Sequence, residues 1–203
     1  MKKQFVFKTA HLLWLFPIVA LGVLCAIFDW DILYFIQNNL KNSFFDLFFS
    51  KITLIGEVAI CWFVWAIVLL FFKKYRKNGI VLIIGILVGA LIGNLILKHA
   101  VARPRPCWED PLIPLLIKNP SDFSFPSGHT LSSVISAVIL SLTDKRFAYF
   151  AIPLAFILSF SRLYLFVHFP TDIYAGLVIG LVVGFATYLI ANHIIKKKFN
   201  SSL

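Results

Sequence analysis

Charge is what this chain has least of. Asp, Glu, Lys and Arg make up 14% of its 203 residues, against 60% hydrophobic ones, and mean hydropathy is +0.90. Soluble domains carry about 25% charged and about 45–50% apolar residues, so the composition excludes an ordinary soluble domain and predicts an integral membrane protein. Acidic residues are scarcest: nine Asp and Glu stand against 19 Lys and Arg, a formal net charge of +10. The cations sit in short runs flanking apolar stretches, which is the pattern of membrane topology and not of a phosphate-backbone footprint, so no nucleic-acid partner is expected. Cysteine is rare as well. Cys25, Cys61 and Cys107 show no metal-ligand spacing, and the first two read as small core residues. HExxH is missing, and neither an Asp-x-Asp pair nor a carboxylate cluster lies near a histidine in the sequence, so no metal and no other cofactor is expected.

What is abundant is hydrocarbon. A span needs about 20 apolar residues to cross about 30 Å. Six stretches qualify, at residues 11–28, 53–72, 79–97, 128–142, 147–167 and 173–192, the fourth of them short. The first begins like a signal peptide but runs on without a small-residue cleavage site, and reads as an uncleaved span. Residues 29–51 mix apolar and polar positions at near-helical spacing, which predicts a short interfacial helix. The fold class expected is all-α: one domain, residues 1–203, forming a six-helix transmembrane bundle. With the N-terminus inside, twelve Lys and Arg fall on inner segments and seven on outer ones. The positive-inside rule then predicts a multi-pass protein of the cell (inner) membrane with both termini cytoplasmic. Two glycine ladders, Gly85-Gly89-Gly93 and Gly176-Gly180-Gly184, predict close backbone approach in the third and sixth spans.

Polar residues gather in three clusters between positions 98 and 172: Lys98-x6-Arg105-Pro106, Pro126-Ser127-Gly128-His129, and Ser161-Arg162-x5-His168-x3-Asp172. Under the expected topology all three lie at the outer, periplasmic or extracellular face. Ionisable groups in so apolar a chain mark a functional site. Ser127 and Gly128 open an apolar helix, where free N–H groups and the helix dipole make an anion site, and His129 stands there as a proton donor. His168 lies four residues before Asp172, close enough for the carboxylate to fix its tautomer and leave the other nitrogen as a nucleophile. Arg162 presents a planar fork that matches two phosphate oxygens, and Lys98 and Arg105 complete a cationic cage. Such a set suits phosphoryl transfer, which needs charge neutralisation and in-line placement.

In order and spacing these eleven residues resemble the tripartite signature of the type 2 phosphatidic acid phosphatase (PAP2) superfamily. That superfamily includes undecaprenyl-diphosphate, phosphatidylglycerophosphate and lipid A phosphatases, glucose-6-phosphatase and vanadium haloperoxidases. The resemblance implies His168 as a nucleophile that forms phosphohistidine, Asp172 as its partner and His129 as acid to the leaving oxygen. It implies Lys98, Arg105, Ser127, Gly128 and Arg162 as phosphate ligands. The expected substrate is an amphiphilic lipid phosphate or diphosphate reached among membrane lipids, foremost undecaprenyl diphosphate, with lipid A, phosphatidylglycerophosphate and phosphatidic acid as alternatives. Oligomeric state is not legible.

Other polar residues carry weaker readings. His11, His99 and His193 read as interfacial or loop residues, and Glu57 as a hydrated near-end carboxylate or a headgroup contact. Arg103 reads equally as a second phosphate contact or a solvating loop residue, and the 107–125 loop as a headgroup selector. A non-catalytic transporter or lipid-binding protein would place its polar groups near the bilayer midplane, not at one face.

Overall fold

A computed structural model of the chain describes residues 17–200. Lys2, Lys3 and Lys8, counted above for orientation, His11 and the first residues of the 11–28 span lie outside the described residues. Every regular element among those described is helical. Helix α1 (Pro17–Ile27) meets α2 (Asp29–Asn39) at a 69° bend. Then α3 (Ser43–Gly56) starts at Asn42, whose side chain accepts from the Phe45 N–H at 3.0 Å. The single interfacial helix expected over 29–51 is therefore two helices, because Asn42 is extended and caps a new one. A 3₁₀ turn, Glu57–Ala59, bends α3 by 50° into α4 (Ile60–Phe71). Ala59 sits at φ 58°, a left-handed conformation that breaks the helical ladder.

Helix α5 (Arg76–Ala90) runs through a π-helical segment, Leu91–Leu97, into α6 (Lys98–Val101). The single turn α7 (Pro106–Glu109) and an irregular loop lead to α8 (Gly128–Thr143). A 3₁₀ turn, Lys145–Phe147, precedes α9 (Ala148–Tyr164), and α10 (Pro170–Asn200) closes the order. Among the described residues, three helical segments are long and apolar enough to cross a membrane: Arg76–Glu109, Lys145–Tyr164 and Pro170–Ile194. The number reaches five if each bent pair counts as one span. Helix α8 has 16 residues, about 24 Å at 1.5 Å each, short of the roughly 30 Å of hydrocarbon.

That short helix is the centre of the bundle. Leu131, Val134, Ile135, Ile139 and Leu140 are buried on it together with Ser133 and Ser136, as expected for a helix enclosed on all sides. Trp62 donates its indole N–H to Ser133 Oγ at 3.0 Å. Both glycine ladders face α8. A Cβ on Gly85, Gly89 or Gly93 would meet Ile139, Ile135 or Leu131, and one on Gly176, Gly180 or Gly184 would meet the Ser127 carbonyl, Val134 or Val138. The ladders thus bring the third and sixth expected spans onto neighbouring faces of one helix. Outside, Ile27, Phe71, Leu87, Phe156 and Val182 are exposed, a surface suited to lipid contact and not to water.

Polar groups collect at the two ends of α8. At its C-terminal end Tyr75 and Arg146 both hydrogen-bond Asp144, at 2.7 and 2.8 Å, joining the α4–α5 and α8–α9 turns. At its N-terminal end meet the end of α9, the start of α10 and the 102–127 loop.

Candidate active site

The three cations reach one place from three elements. Lys98 continues the π segment into α6, Arg105 precedes α7, and Arg162 comes from the last turn of α9; all three are buried. The Arg105 fork is saturated. Its Nε donates to the Asp122 carbonyl at 2.7 Å and Nη2 to Asp122 Oδ1 at 2.7 Å, with Phe123 O at 3.4 Å. Its Nη1 donates to Val167 O at 2.7 Å and lies 3.1 Å from His168 Nε2. Lys98 Nζ donates to the other oxygen of Asp122. Arg162 is held differently: Nη1 donates to Thr53 Oγ1 at 2.6 Å, while its buried Nε has no acceptor among the described residues.

His168 sits in the short connection between α9 and α10 and is 2% exposed. Its Nδ1 lies 3.4 Å from Asp172 Oδ2 and 3.4 Å from Ser124 Oγ. Nε2 faces the Arg105 guanidinium, which can only donate, so Nδ1 carries the ring hydrogen and the Nε2 lone pair points at the cage. Burial, then the Arg105, Arg162 and Lys98 charges, push His168 well below the ordinary imidazole value. The ring is therefore neutral, as a nucleophile requires.

Asp172 is wholly enclosed. Oδ2 accepts from Ser124 Oγ and from the Phe169 N–H at 2.8 Å, and Oδ1 accepts from Arg103 Nη1 at 3.0 Å. Arg103 in turn donates from Nη2 to Asp29 Oδ2 at 2.7 Å and stacks over Phe169, 3.9 Å from the ring centroid. Asp29 also accepts from Thr171, from the N–H at 2.9 Å and from the hydroxyl at 2.6 Å. Of the two readings open for Arg103, this geometry fits neither. Its guanidinium points behind the histidine, into a carboxylate chain that runs from the α1–α2 bend to Asp172.

His129 stands in the first turn of α8, with Nε2 3.2 Å from the Thr53 carbonyl. Thr53 thus touches both His129 and Arg162, and Gly56 one turn later lets α3 lie against the ring: a Cβ there would come within 2.8 Å of His129 Cδ2. Ser127 caps α8, accepting from the Thr130 N–H at 3.4 Å, and its own N–H donates to the Asp172 carbonyl at 3.1 Å. The N–H groups of Gly128 and His129 are the ones left at the helix mouth for an anion. Asn94 lies over Gly128, where a Cβ would meet its Oδ1 at 2.8 Å.

A cleft of about 800 Å³ joins these parts. Lys98, Arg105, Gly128, His129, Arg162 and His168 line it, whereas Ser127 and Asp172 stand behind the wall. Away from the cations its walls are mainly Leu54, Ala59, Phe63, Ile86, Leu87 and Ala90, with Glu57 and Ser132 among them, so the cleft is ionic at one end and largely apolar at the other. Among the described residues no group of three or more His, Cys, Asp or Glu converges as metal ligands. The motif reading did not include Thr53, Asp29, Ser124 or Asp122. Asp122 and Ser124 fall within the 107–125 loop that the sequence reading assigns to headgroup selection. Thr53 and Asp29 arrive from helices more than 70 positions away from their partners.

Residues 78–196 match the PAP2 superfamily. The chain is 38% identical over 119 residues to an undecaprenyl-diphosphatase of Sulfolobus acidocaldarius, covering 58% of this chain and 57% of that protein. It therefore spans little more than half the length of that relative. It is 29% identical over 164 residues to a lipid A 4'-phosphatase of Porphyromonas gingivalis, covering 75% of this chain and 67% of the relative. Among solved structures, Aquifex aeolicus LpxE superposes with a TM-score of 0.68 at 29% identity, over 78% of this chain and 93% of that one.

Proposed function

This chain belongs to the PAP2 superfamily of phosphatases, and from that premise we propose that it hydrolyses a polyprenyl diphosphate, undecaprenyl diphosphate foremost, to the monophosphate and inorganic phosphate. The observation that carries the reading is the two-ended cleft. A lipid phosphate needs cations beside a nucleophile and, in continuity with them, an apolar wall for the chain. Lys98, Arg105 and Arg162 supply the first, and the Leu54–Phe63–Leu87 side the second. The diphosphate is preferred to a monoester because the Sulfolobus acidocaldarius relative bears that name.

The chemistry proceeds in two in-line steps. His168 Nε2 attacks the terminal phosphorus, the bridging P–O bond breaks, and His129, protonated once the phosphate's negative charge offsets the surrounding cations, gives its proton to the departing lipid phosphate. A phosphoryl group then rests on His168, whose positive ring is stabilised by Asp172 through Nδ1. Water attacks the phosphorus, His129 takes its proton, and the P–N bond breaks to release phosphate. Lys98, Arg105, Arg162 and the helix mouth at Gly128 and His129 neutralise the equatorial oxygens throughout. No metal takes part in this scheme.

The same reading extends to the whole chain. Residues 1–203 form one domain of six spans, α8 being enclosed rather than lipid-facing, with both termini cytoplasmic and the cleft at the outer face of the cell membrane. The lysine and arginine bias supports that orientation, and lipid enters sideways past α4 and α5. The test is purified protein assayed on polyprenyl diphosphate, lipid A, phosphatidylglycerophosphate, phosphatidic acid and a soluble sugar phosphate, with orthovanadate and EDTA. Turnover of the diphosphate that vanadate blocks and EDTA spares is the expected result, abolished in His168→Ala. Preference for the sugar phosphate, or full activity in that variant, refutes it.

A further inference from the structure

The cage that the proposed function assigns to phosphate already holds an anion of the protein's own. Asp122 places one carboxylate oxygen on Arg105 Nη2 at 2.7 Å and the other on Lys98 Nζ. These are the two cations through which a phosphoryl group would be gripped from the 98–105 side, so carboxylate and phosphate cannot both sit there. Arg162, by contrast, keeps a buried Nε without an acceptor among the described residues.

We propose that Asp122 is a substrate-displaced counter-ion: its carboxylate fills a phosphoryl-oxygen subsite in the empty enzyme and must swing out for substrate to bind. The inference rests on the assignment of Lys98 and Arg105 as phosphate ligands. Three features make the exchange mechanically simple. The Asp122 side chain is 56% exposed, so water lies on the side to which it would rotate. Its backbone stays anchored, because Arg105 Nε holds the Asp122 carbonyl at 2.7 Å. The flanking loop is pinned as well, with Trp108 Nε1 donating to Asn119 Oδ1 at 3.0 Å and Pro120 O at 3.1 Å, and the Ser124 N–H donating to Arg103 O at 2.8 Å. Only the side-chain torsions of Asp122 need change.

The charge balance gives the device a purpose. Without that carboxylate, Lys98, Arg105 and Arg162 would face one another across a low-dielectric cleft with Glu57, on the α3–α4 side, as the other acidic residue in its lining. Burial raises the Asp122 carboxyl, but the Lys98 hydrogen bond and the Arg105 charge outweigh it and hold the group down at about 2. The counter-ion is thus charged at any working pH, and only a stronger anion dislodges it. A phosphoryl group carries more charge and more oxygens than a carboxylate, whereas carboxylate-bearing or singly charged lipid headgroups would compete poorly.

Orthovanadate serves as the probe. If the counter-ion is seated about nine-tenths of the time, apparent affinity for an anion is reduced about tenfold. Asp122→Asn, isosteric and half in water, should therefore lower the inhibition constant for orthovanadate about tenfold, with a larger vanadate-induced rise in Tm and a lower KM for substrate. An unchanged or higher inhibition constant in Asp122→Asn would overturn the proposal and make Asp122 a strut that positions Lys98 and Arg105. That outcome leaves the phosphate cage standing, provided that vanadate competes with substrate in the unsubstituted protein. Absence of competition there would overturn the cage and the counter-ion together.

Discussion

The carboxylate chain behind His168 yields a quantitative expectation. Arg103 joins Asp29, at 2.7 Å, to Asp172, at 3.0 Å, and Asp172 orients the imidazole from a site with 0% exposure. Arg103→Gln leaves two carboxylates without their cation. Breaking a buried pair costs about 3–5 kcal/mol, but Arg103 is itself 26% exposed and water will compensate in part, so a stability loss of about 1–3 kcal/mol is expected. Asp172 keeps Ser124 and the Phe169 N–H, so His168 is not released but misaimed. A kcat loss of about 10–100-fold follows, equivalent to roughly 1.4–2.7 kcal/mol. KM should stay near normal, because the phosphate-facing cations lie on the other side of the ring. Asp29→Asn should do the same more mildly, and the double variant should fall short of the sum by at least about 0.5 kcal/mol, as for groups in one network. Initial rates of phosphate release in detergent, with Tm measured in parallel, give both quantities. Strictly additive effects, or a rise in KM at constant kcat, would refute the chain of positioning.

Three further expectations follow from the same geometry. Arg105→Lys loses the fork that serves Asp122, Val167 and His168 at once; with charged hydrogen bonds at about 1.5–3 kcal/mol each, kcat/KM should drop at least about a hundredfold, and near-normal rates would show that charge alone suffices. Gly176→Leu forces a side chain against the Ser127 carbonyl, only 3.0 Å from where its Cβ would lie, at a cost of about 1–3 kcal/mol; displacement of the α8 mouth should lower kcat/KM more than Tm, and an unchanged rate would sink the packing argument. Burial and the Arg105 charge hold His168 below 6.5, so the unfolded chain binds a proton there that the folded one refuses. Stability is then full above pH 6.5 and declines toward acid, by up to about 1.4 kcal/mol per pH unit. His168→Gln should flatten that decline in a Tm-against-pH series, and an identical slope in both proteins would be contrary.

Much of the site was legible because its spacing is local. His168 and Asp172 are four residues apart across the start of one helix, and Ser127-Gly128-His129 form one helix mouth, so their mutual placement needs little tertiary information. The all-helical class followed from composition, and the PAP2 resemblance from eleven residues at set intervals. Span boundaries were less legible. Hydropathy cannot see that Asn42 restarts a helix, that Ala59 turns left-handed, or that a 16-residue helix needs no full crossing length when other helices enclose it.

The amino-acid order alone therefore determined which groups the chain brings: scarce charge, two imidazoles, a carboxylate four residues after one of them, and three cations in a hydrophobic scaffold. Only the tertiary structure decided which other groups stand against them. Asp29 behind Arg103, Thr53 between His129 and Arg162, and Asp122 seated in the cage at the end of an irregular loop are contacts set by how helices pack on α8. The reason is physical. Periodicity and motif spacing report a residue's own segment, whereas a contact between distant segments depends on helix bends, loop paths and glycine-set approach distances that no local pattern encodes.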